Sequence, residues 1–185
     1  MTAPNVGNPT HPAVTNQLRL PRAAALGPGR GGQQRLLIDA PAGAAEIYLH
    51  GATVTSWVPR GGSEVIFTSR QAVFDGATAI RGGIPLCLPE FGVGINGDAV
   101  PKHGWARIAP WRLRTVTTTD GGGVRALLSV SRDRLTALYE VEVGETLRLG
   151  LSLRNEGTEP RTVEAAAHTY LSVHDVTASR ISGLA

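Results

Sequence analysis

The chain has 185 residues, of which 42% are hydrophobic and 18% charged, and its formal net charge at pH 7 is +3. This composition supplies enough apolar sequence for one sizeable core and too little charge for a disordered polyampholyte. The positive charge is local, because residues 1–38 contain four Arg and no acid whereas residues 39–185 contain 14 basic and 15 acidic residues, and this argues against a nucleic-acid partner.

The N-terminal residues are rich in Pro, Gly, Asn, Thr and Ala, and they run into the sequence GPGRGGQQ. No helical or strand periodicity in this part is long enough to bury a face. We therefore expect residues 1–32 to form a mobile Pro/Gly-rich extension and residues 33–185 to form a single domain.

The cysteine and hydropathy patterns bear on the compartment. Cys87 is the only cysteine, which excludes an internal disulfide framework and fits a reducing environment. No apolar run approaches the ~20 residues of a membrane span, and the N-terminus lacks the apolar stretch of a secretory signal. These patterns predict a cytoplasmic protein with no membrane partner, and a small buried apolar role for Cys87.

Short segments of strand character follow from Leu36 onward, separated by Gly, Pro or Asp. The clearest is Thr146 to Asn155, where leucines alternate with polar residues, so that one face is expected to lie in the core. Residues 139–143 alternate in the same way, and Gly144-Glu145 is expected to join the two strands into a hairpin. Further strands are predicted near residues 36–39, 45–49, 53–58, 64–68, 107–118, 124–131 and 161–173. With no long helix evident, this pattern is typical of an all-β sandwich.

Gly51 interrupts the strand-like segment that begins at Leu49, and His50 stands beside it. A histidine next to a glycine in a broken strand is more often structural than functional, so we expect His50 to belong to the scaffold.

The segment from Ile80 to Gly92 contains paired glycines and two prolines, which a buried strand rarely includes. Paired glycines let the backbone pass close to another group, and Arg81 before them offers a planar set of donors suited to phosphate or sugar hydroxyls. A tight corner with a salt-bridged Arg81 explains the same residues, and spacing alone does not separate the two interpretations.

The segment Pro101 to Arg107 gathers two cations, an imidazole and an indole around Gly104. Such a set suits a sugar site, because an indole face packs on the pyranose ring while His103 and Arg107 satisfy hydroxyls. Lys102 is the only lysine among 18 basic residues. A surface turn with an aromatic anchor is the alternative interpretation.

The segment Arg161 to Ser172 has period-2 alternation that places His168 away from the predicted core face. A lone histidine is usually a surface or hydrogen-bonded residue, and the sequence pattern alone leaves that alternative open. The three alanines before His168 leave room for a ligand. The residues expected on the core face are Val163, Ala165, Ala167, Thr169 and Leu171.

The wording and order of these segments resemble the hexose-6-phosphate mutarotase branch of the aldose 1-epimerase superfamily. The matching stretches are HGATVTSW, EVIFTSRQAVFDGATAIRGGIPLCLPEFG, VPKHGWARIAPWRL, NEGTEPRTVEAAAHTYLSVHDV and ISGLA, and they cover residues 45–185. The resemblance implies a galactose-mutarotase-like fold, which is a large twisted β-sandwich, or supersandwich, with the sugar in a groove across its concave sheet.

The resemblance also implies roles for individual residues. His168 of AHTYL would be the general acid, and Arg81, His103 and Arg107 would bind the sugar or its phosphate. Lys102 stands where the family usually has Gln, which keeps a donor but removes an acceptor. The implied reaction interconverts the α and β anomers of a hexose 6-phosphate, so that the partner is a small-molecule sugar phosphate and no cofactor or metal is required.

The sequence departs from the family in one respect, since family members continue beyond ISGLA with strands that complete the sandwich and with a Glu general base. No glutamate here matches the base motif, and neither Glu90 nor Glu164 is assigned to it. We therefore expect a sandwich that is incomplete at its C-terminus, and we expect the chain to turn over its substrate weakly. A full-length relative is expected to be a monomer, while self-association of this chain stays open.

Two alternatives remain at this point. The first is a carbohydrate- or sugar-phosphate-binding module without catalysis, since the general-base region is not matched. The second is a mutarotase for unphosphorylated sugars, which the match to the phosphate branch disfavours.

Overall fold

The computed structural model describes residues 18–183. Within this range the chain forms ten strands and two 3₁₀ turns, at Arg30–Gly32 and Ala106–Ile108. The strands are β1 (Ala24–Pro28), β2 (Gln34–Ala40), β3 (Gly43–Tyr48), β4 (Thr53–Pro59), β5 (Leu86–Cys87), β6 (Arg112–Thr118), β7 (Val124–Arg132), β8 (Leu135–Val143), β9 (Leu147–Asn155) and β10 (Ala166–Ala167). No helix among the described residues is long and apolar enough to cross a membrane.

All strand pairs are antiparallel, and they form two four-stranded sheets and one short ribbon. The first sheet has the order β1-β2-β3-β4, the second has the order β6-β7-β8-β9, and β5 pairs with β10. β8 and β9 pair in continuous register up to Val143 opposite Leu147, which confirms the hairpin predicted at Gly144-Glu145. The prediction of an all-β sandwich is confirmed.

The core lies between the two large sheets and is made by the alternate residues that face inward. In β8 the inward positions are buried while the residues between them are more accessible, as the period-2 pattern predicts. One contiguous cluster contains residues from both sheets and from the β5 strand. Its members with no more than 2% exposure include Leu36, Ile38, Ile47, Val54, Leu86, Leu88, Leu128, Tyr139 and Val141.

β9 is less buried than its alternation predicts. Leu147, Leu149 and Leu151 are only partly buried, and Leu153 is 39% exposed. The reason is position, because β9 is the outermost strand of the second sheet and the first sheet packs across β8. Its leucines touch the margin of the core.

The N-terminal boundary also differs from the expectation. Residues 1–32 were expected to form an extension without strands, but the structure places β1 within them, paired with β2 so that Ala24 lies opposite Ile38. A five-residue edge strand that includes Gly27 and Pro28 leaves too little alternation to detect. Residues 1–17 of the expected extension lie outside the described residues.

Two predicted strands are shorter than expected, and a third is absent from the described residues. The strand expected at 107–118 begins only at Arg112, after the 3₁₀ turn. Residues 64–68 form no strand and contribute two isolated bridges, Ile66 to Leu171 and Thr68 to Gly82. In the segment 161–173 only Ala166 and Ala167 are strand, because the remaining pairs are single bonds to an irregular neighbour.

The predicted core face of the segment 161–173 is wrong. Val163 is partly buried against the core, but Ala165, Ala167, Thr169 and Leu171 are exposed. The reason is that, among the described residues, no second layer covers the face that was expected to be buried.

Candidate functional site

A groove of about 530 Å³ opens beside the β5–β10 ribbon. This volume lies within the ~300–1,000 Å³ typical of small-molecule sites. Its wall mixes apolar, hydroxyl, amide and cationic side chains drawn from four separate stretches of the chain. The lining residues are Gln71, Val73, Ala77, Thr78, Ala79, Ile80, Arg81, Pro85, Cys87, His103, Arg107, Ile108, His168 and Tyr170.

The paired glycines place Arg81 at the rim of this groove. Gly82 and Gly83 have φ values of 110° and 72°, and a Cβ on Gly82 would lie 2.6 Å from the Cα of Thr68. Glycine is therefore required where this corner passes the neighbouring chain. The tight corner expected at this point is present, but no ion pair to Arg81 occurs within residues 18–183, and this exposed residue lines the groove.

A left-handed turn presents His103. His103 and Gly104 have φ values of 64° and 70°, and a Cβ on Gly104 would overlap the carbonyl group of Leu88. The turn is closed by two bonds between backbones, from the His103 N–H to the Gly92 carbonyl at 2.7 Å and from the Leu88 N–H to the His103 carbonyl at 3.3 Å. The imidazole thus stands on a backbone fixed at both ends.

Arg107 is held by the same turn. Its Nη2 donates to the carbonyl oxygen of Lys102 at 2.8 Å, while its buried Nε has no partner among the described residues. Lys102 itself is exposed and does not line the groove, so its observed contribution is the carbonyl that orients Arg107. A direct contact of the Lys102 ammonium with a ligand stays a prediction.

Trp105 does not face the groove. It is 5% exposed and belongs to the hydrophobic core, with the Arg132 guanidinium 5.8 Å from its ring centre. The suggestion that this indole packs on a sugar is therefore wrong. The segment does contain an aromatic anchor, as the alternative interpretation held, and that anchor holds the turn that carries His103 and Arg107.

His168 directly follows β10, the two-residue strand that pairs with β5. Its N–H donates to the Pro85 carbonyl at 3.0 Å, and the N–H of Tyr170 donates to the Gly83 carbonyl at 2.9 Å. The imidazole is exposed, as the alternation predicts. Its ring centre lies 5.0 Å from that of Tyr170 and 6.2 Å from that of His103, with the two imidazoles nearly perpendicular at 85°.

The surroundings of His103 shift the pKa of its imidazole. Partial burial lowers the pKa of His103, and the positive charges of Arg107, His168 and Lys102 lower it further. This shift favours the neutral form of His103. The backbone N–H of Gly92 donates to its Nδ1 at 3.2 Å.

The floor and far wall of the groove are structural. Cys87 is 2% exposed, and burial raises the pKa of its thiol, which confirms its prediction as a buried apolar residue. His50 Nε2 lies 2.9 Å from the carbonyl oxygen of Thr78 and fixes the far wall, as expected for a scaffold residue. Asp75 accepts from the N–H groups of Ala77 and Thr78 and shapes the adjacent turn.

The structure brings four of the five predicted site residues to the groove, namely Arg81, His103, Arg107 and His168, and leaves Lys102 outside its lining. Their chemical roles remain predictions. Sequence reasoning did not single out Gln71, Thr78 or Tyr170. Tyr170 shares the alternating face of His168, which is a usable signal, whereas Gln71 and Thr78 come from an irregular loop that carries none.

The acidic residues lie elsewhere. Glu90, Asp98 and Glu164 line a second cavity of about 370 Å³, and no lining residue of the first groove carries a carboxylate. Within residues 18–183 there is no group of three or more His, Cys, Asp or Glu residues that could hold a metal ion.

The chain is similar to known proteins of one family. A family profile described as aldose 1-epimerase matches residues 34–185. A candidate glucose-6-phosphate 1-epimerase of Escherichia coli K12 is 32% identical over 158 residues, covering 80% of this chain and 52% of that protein. A candidate glucose-6-phosphate 1-epimerase of Cenchrus ciliaris is 35% identical over 157 residues, covering 76% of this chain and 47% of that protein.

A solved structure is also similar to this chain. A candidate mutarotase from Salmonella typhimurium superposes with a TM-score of 0.75 at 28% identity, covering 85% of this chain and 54% of that one. The chain spans about half the length of the curated relatives it matches.

Proposed function

The chain belongs to the aldose 1-epimerase family, and on that premise we propose that it supplies the acid and anion-binding side of a mutarotase for hexose 6-phosphates. The observation that carries the proposal is the convergence of four residues from three separate segments, Arg81, His103, Arg107 and His168, on one groove of small-molecule size. Each of them is a donor, which suits a ligand rich in oxygen.

The chemistry requires two proton movements. A proton goes to the ring oxygen of the sugar and another passes from the C1 hydroxyl to solvent water, after which the C1–O5 bond breaks, the aldehyde rotates about C1–C2, and the ring closes on the other face. His168 is the acid in this scheme, because its exposed imidazole borders the groove. A positioned acid or base contributes ~10²- to 10⁴-fold. No redox step occurs.

The substrate is held by cations in this proposal. Arg81 projects to the groove without an internal ion pair within residues 18–183, so its planar set of donors is available to a phosphate. Arg107 is already oriented by the Lys102 carbonyl and is suited to sugar hydroxyls. A phosphate carries close to two negative charges at pH 7, so binding should weaken as salt is added.

The proposal assigns no general base, because the carboxylates of Glu90 and Glu164 line the second cavity. Binding of the sugar phosphate and its turnover can therefore be measured separately. A groove that binds without turnover is the carbohydrate-binding alternative, and the following experiment distinguishes the two.

Anomer exchange of glucose 6-phosphate should be followed by NMR exchange spectroscopy beside calorimetry on the same 185-residue chain. We expect heat of binding together with exchange faster than in buffer, though slower than for a full-length family member. His168→Ala should remove the enhancement and keep the binding heat. His174→Ala, which changes an exposed histidine outside the groove, is the matched control and should change neither.

The outcomes separate the candidate functions. Binding heat without any rate enhancement supports the binding module, and enhancement for galactose but not for glucose 6-phosphate supports a mutarotase of unphosphorylated sugars. Absence of both heat and enhancement with every sugar contradicts the proposal.

Phosphate recognition has its own test. Arg81→Ala should weaken glucose 6-phosphate binding by about tenfold to a hundredfold, as expected for loss of hydrogen bonds to a charged group, and should affect glucose much less. Arg112→Ala changes an exposed arginine of β6 and serves as the control. Equal losses for glucose and its phosphate would assign Arg81 to the sugar ring instead.

A further inference from the structure

The turn at Phe91 and Gly92 is held between two side chains of different segments. The N–H of Phe91 donates to Oε2 of Glu164 at 3.3 Å, and the next N–H, of Gly92, donates to Nδ1 of His103 at 3.2 Å. Glu164 is itself fixed, because its N–H donates to the Pro89 carbonyl at 2.8 Å. Glu164, which belongs to the same segment as His168, is thus linked to His103 through the Phe91–Gly92 turn.

The bond to Nδ1 determines where His103 carries its hydrogen. A nitrogen that accepts from an N–H group must present a lone pair, so the neutral ring has its hydrogen on Nε2. Partial burial of the ring favours this neutral form, and Arg107, His168 and Lys102 lower the pKa of His103 further. The backbone N–H of His103 donates in return to the Gly92 carbonyl at 2.7 Å, and this second bond holds the turn beside the imidazole.

We infer that Glu164 is a positioning residue, which holds the Phe91–Gly92 turn against His103 and thereby fixes His103 as an Nε2–H donor toward the groove. Glu164 borders the second cavity and not the groove, so it acts through the turn. Phe91 contributes packing as well, because its ring centre lies 5.2 Å from that of His103 and 6.4 Å from that of His168.

The inference has a consequence for the proposed reaction, and this part alone rests on the proposed function. With Nδ1 accepting from the Gly92 N–H and Nε2 protonated, neutral His103 can donate to a sugar oxygen but presents no free lone pair to the sugar. The two histidines therefore differ in kind, with His103 a fixed donor and His168 free of any such backbone bond to its ring in the described part of the chain.

The test is the tautomer of His103, read from imidazole ¹⁵N shifts of the labelled 185-residue chain above pH 7. In the wild type we expect the Nε2–H form to dominate. Glu164→Ala should raise the ratio of the Nδ1–H form to the Nε2–H form by about three- to tenfold, the effect of weakening one hydrogen bond. Glu164→Gln keeps an acceptor oxygen and should retain the wild-type ratio.

Glu90→Ala is the matched control, since Glu90 borders the same cavity and makes no side-chain hydrogen bond within residues 18–183. If Glu164→Ala loses its dispersed amide spectrum, Glu164→Asp, with a shorter reach, takes its place and should shift the ratio in the same direction. A wild type dominated by the Nδ1–H form, or variants of Glu164 with an unchanged ratio, would overturn the inference.

This readout needs neither substrate nor turnover, so it stands apart from the proposed function. Glucose 6-phosphate added afterwards should shift the His103 Nε2 resonance. A fixed tautomer with no response to the sugar phosphate would leave the positioning role intact and count against the proposed function alone.

Discussion

The second sheet and the groove are built in opposite ways. β7, β8 and β9 are nine residues each and pair without a break in register. The groove is bordered by two-residue strands, isolated bridges and left-handed residues such as His103 and Gly104. The sheet repeats the alternation of inward and outward residues along each strand, whereas the groove depends on a few residues with unusual backbone conformations. The two regions should therefore respond differently to mutation.

The largest effect is expected in the sheet. Leu128 is fully buried in β7, and Leu128→Ala should lower the free energy of unfolding by about 2–5 kcal/mol, because the cavity adds to the lost transfer energy. Leu138→Ala, on the outer face of β8 and 39% exposed, is the control and should cost far less. Urea unfolding measures both. Similar losses would mean that the two faces of the sheet do not differ as described.

Next comes a glycine of the groove. Gly104→Ala should cost about 2–3 kcal/mol, because strain at a left-handed residue adds to overlap with the Leu88 carbonyl. Gly97→Ala isolates the backbone contribution, since Gly97 has φ of 78° and open space around its Cα, and should cost about 1 kcal/mol. Unfolding midpoints that coincide would show that the close approach to Leu88 carries no weight.

These contrasts also explain what the sequence could predict. Alternation in residues 139–143 identified the buried face of β8, because that strand is covered by a second layer. In the His168 segment the same rule predicted a buried face that is exposed, so the exposure of His168 does not depend on alternation. Trp105 was misplaced, since whether an indole faces a ligand or the core depends on distant strands. Gln71 reaches the groove through an irregular loop whose path no local pattern encodes.

Removal of one hydroxyl tests the packing of the sheet more finely. Tyr139 is 1% exposed and its hydroxyl has no partner among the described residues, while burial raises its pKa. Tyr139→Phe should therefore be neutral or stabilising by up to about 1 kcal/mol. Tyr48→Phe is the opposite case, because its hydroxyl accepts from the Arg30 N–H at 2.8 Å, and should cost about 0.5–1.5 kcal/mol. Thermal unfolding of the pair decides, and a clear loss for Tyr139→Phe would reveal a partner for its hydroxyl.

The smallest effect concerns pH at the turn beside the groove. Bonds from Thr78 and Ala77 lower the pKa of Asp75 from 3.8 to about 2. A lowered pKa means that the stabilisation is complete above the ordinary carboxyl pKa and is lost as the pH falls toward 2. The amide shifts of Ala77 and Thr78 should follow that midpoint by NMR, and Asp75→Ala should abolish the transition. A midpoint near 3.8 would contradict the bonding of this turn.

The mutual bonds of Gly92 and His103 bear on how this protein could be re-engineered. They pin both ends of the stretch 93–102, in which Ile95 and Val100 are 74% and 94% exposed. Because each doubling of loop length costs only ~0.6 kcal/mol in closure entropy, longer peptides grafted between these anchors should leave the imidazole in place. New recognition elements could thus be added beside the second cavity, which this stretch lines, without rebuilding the groove.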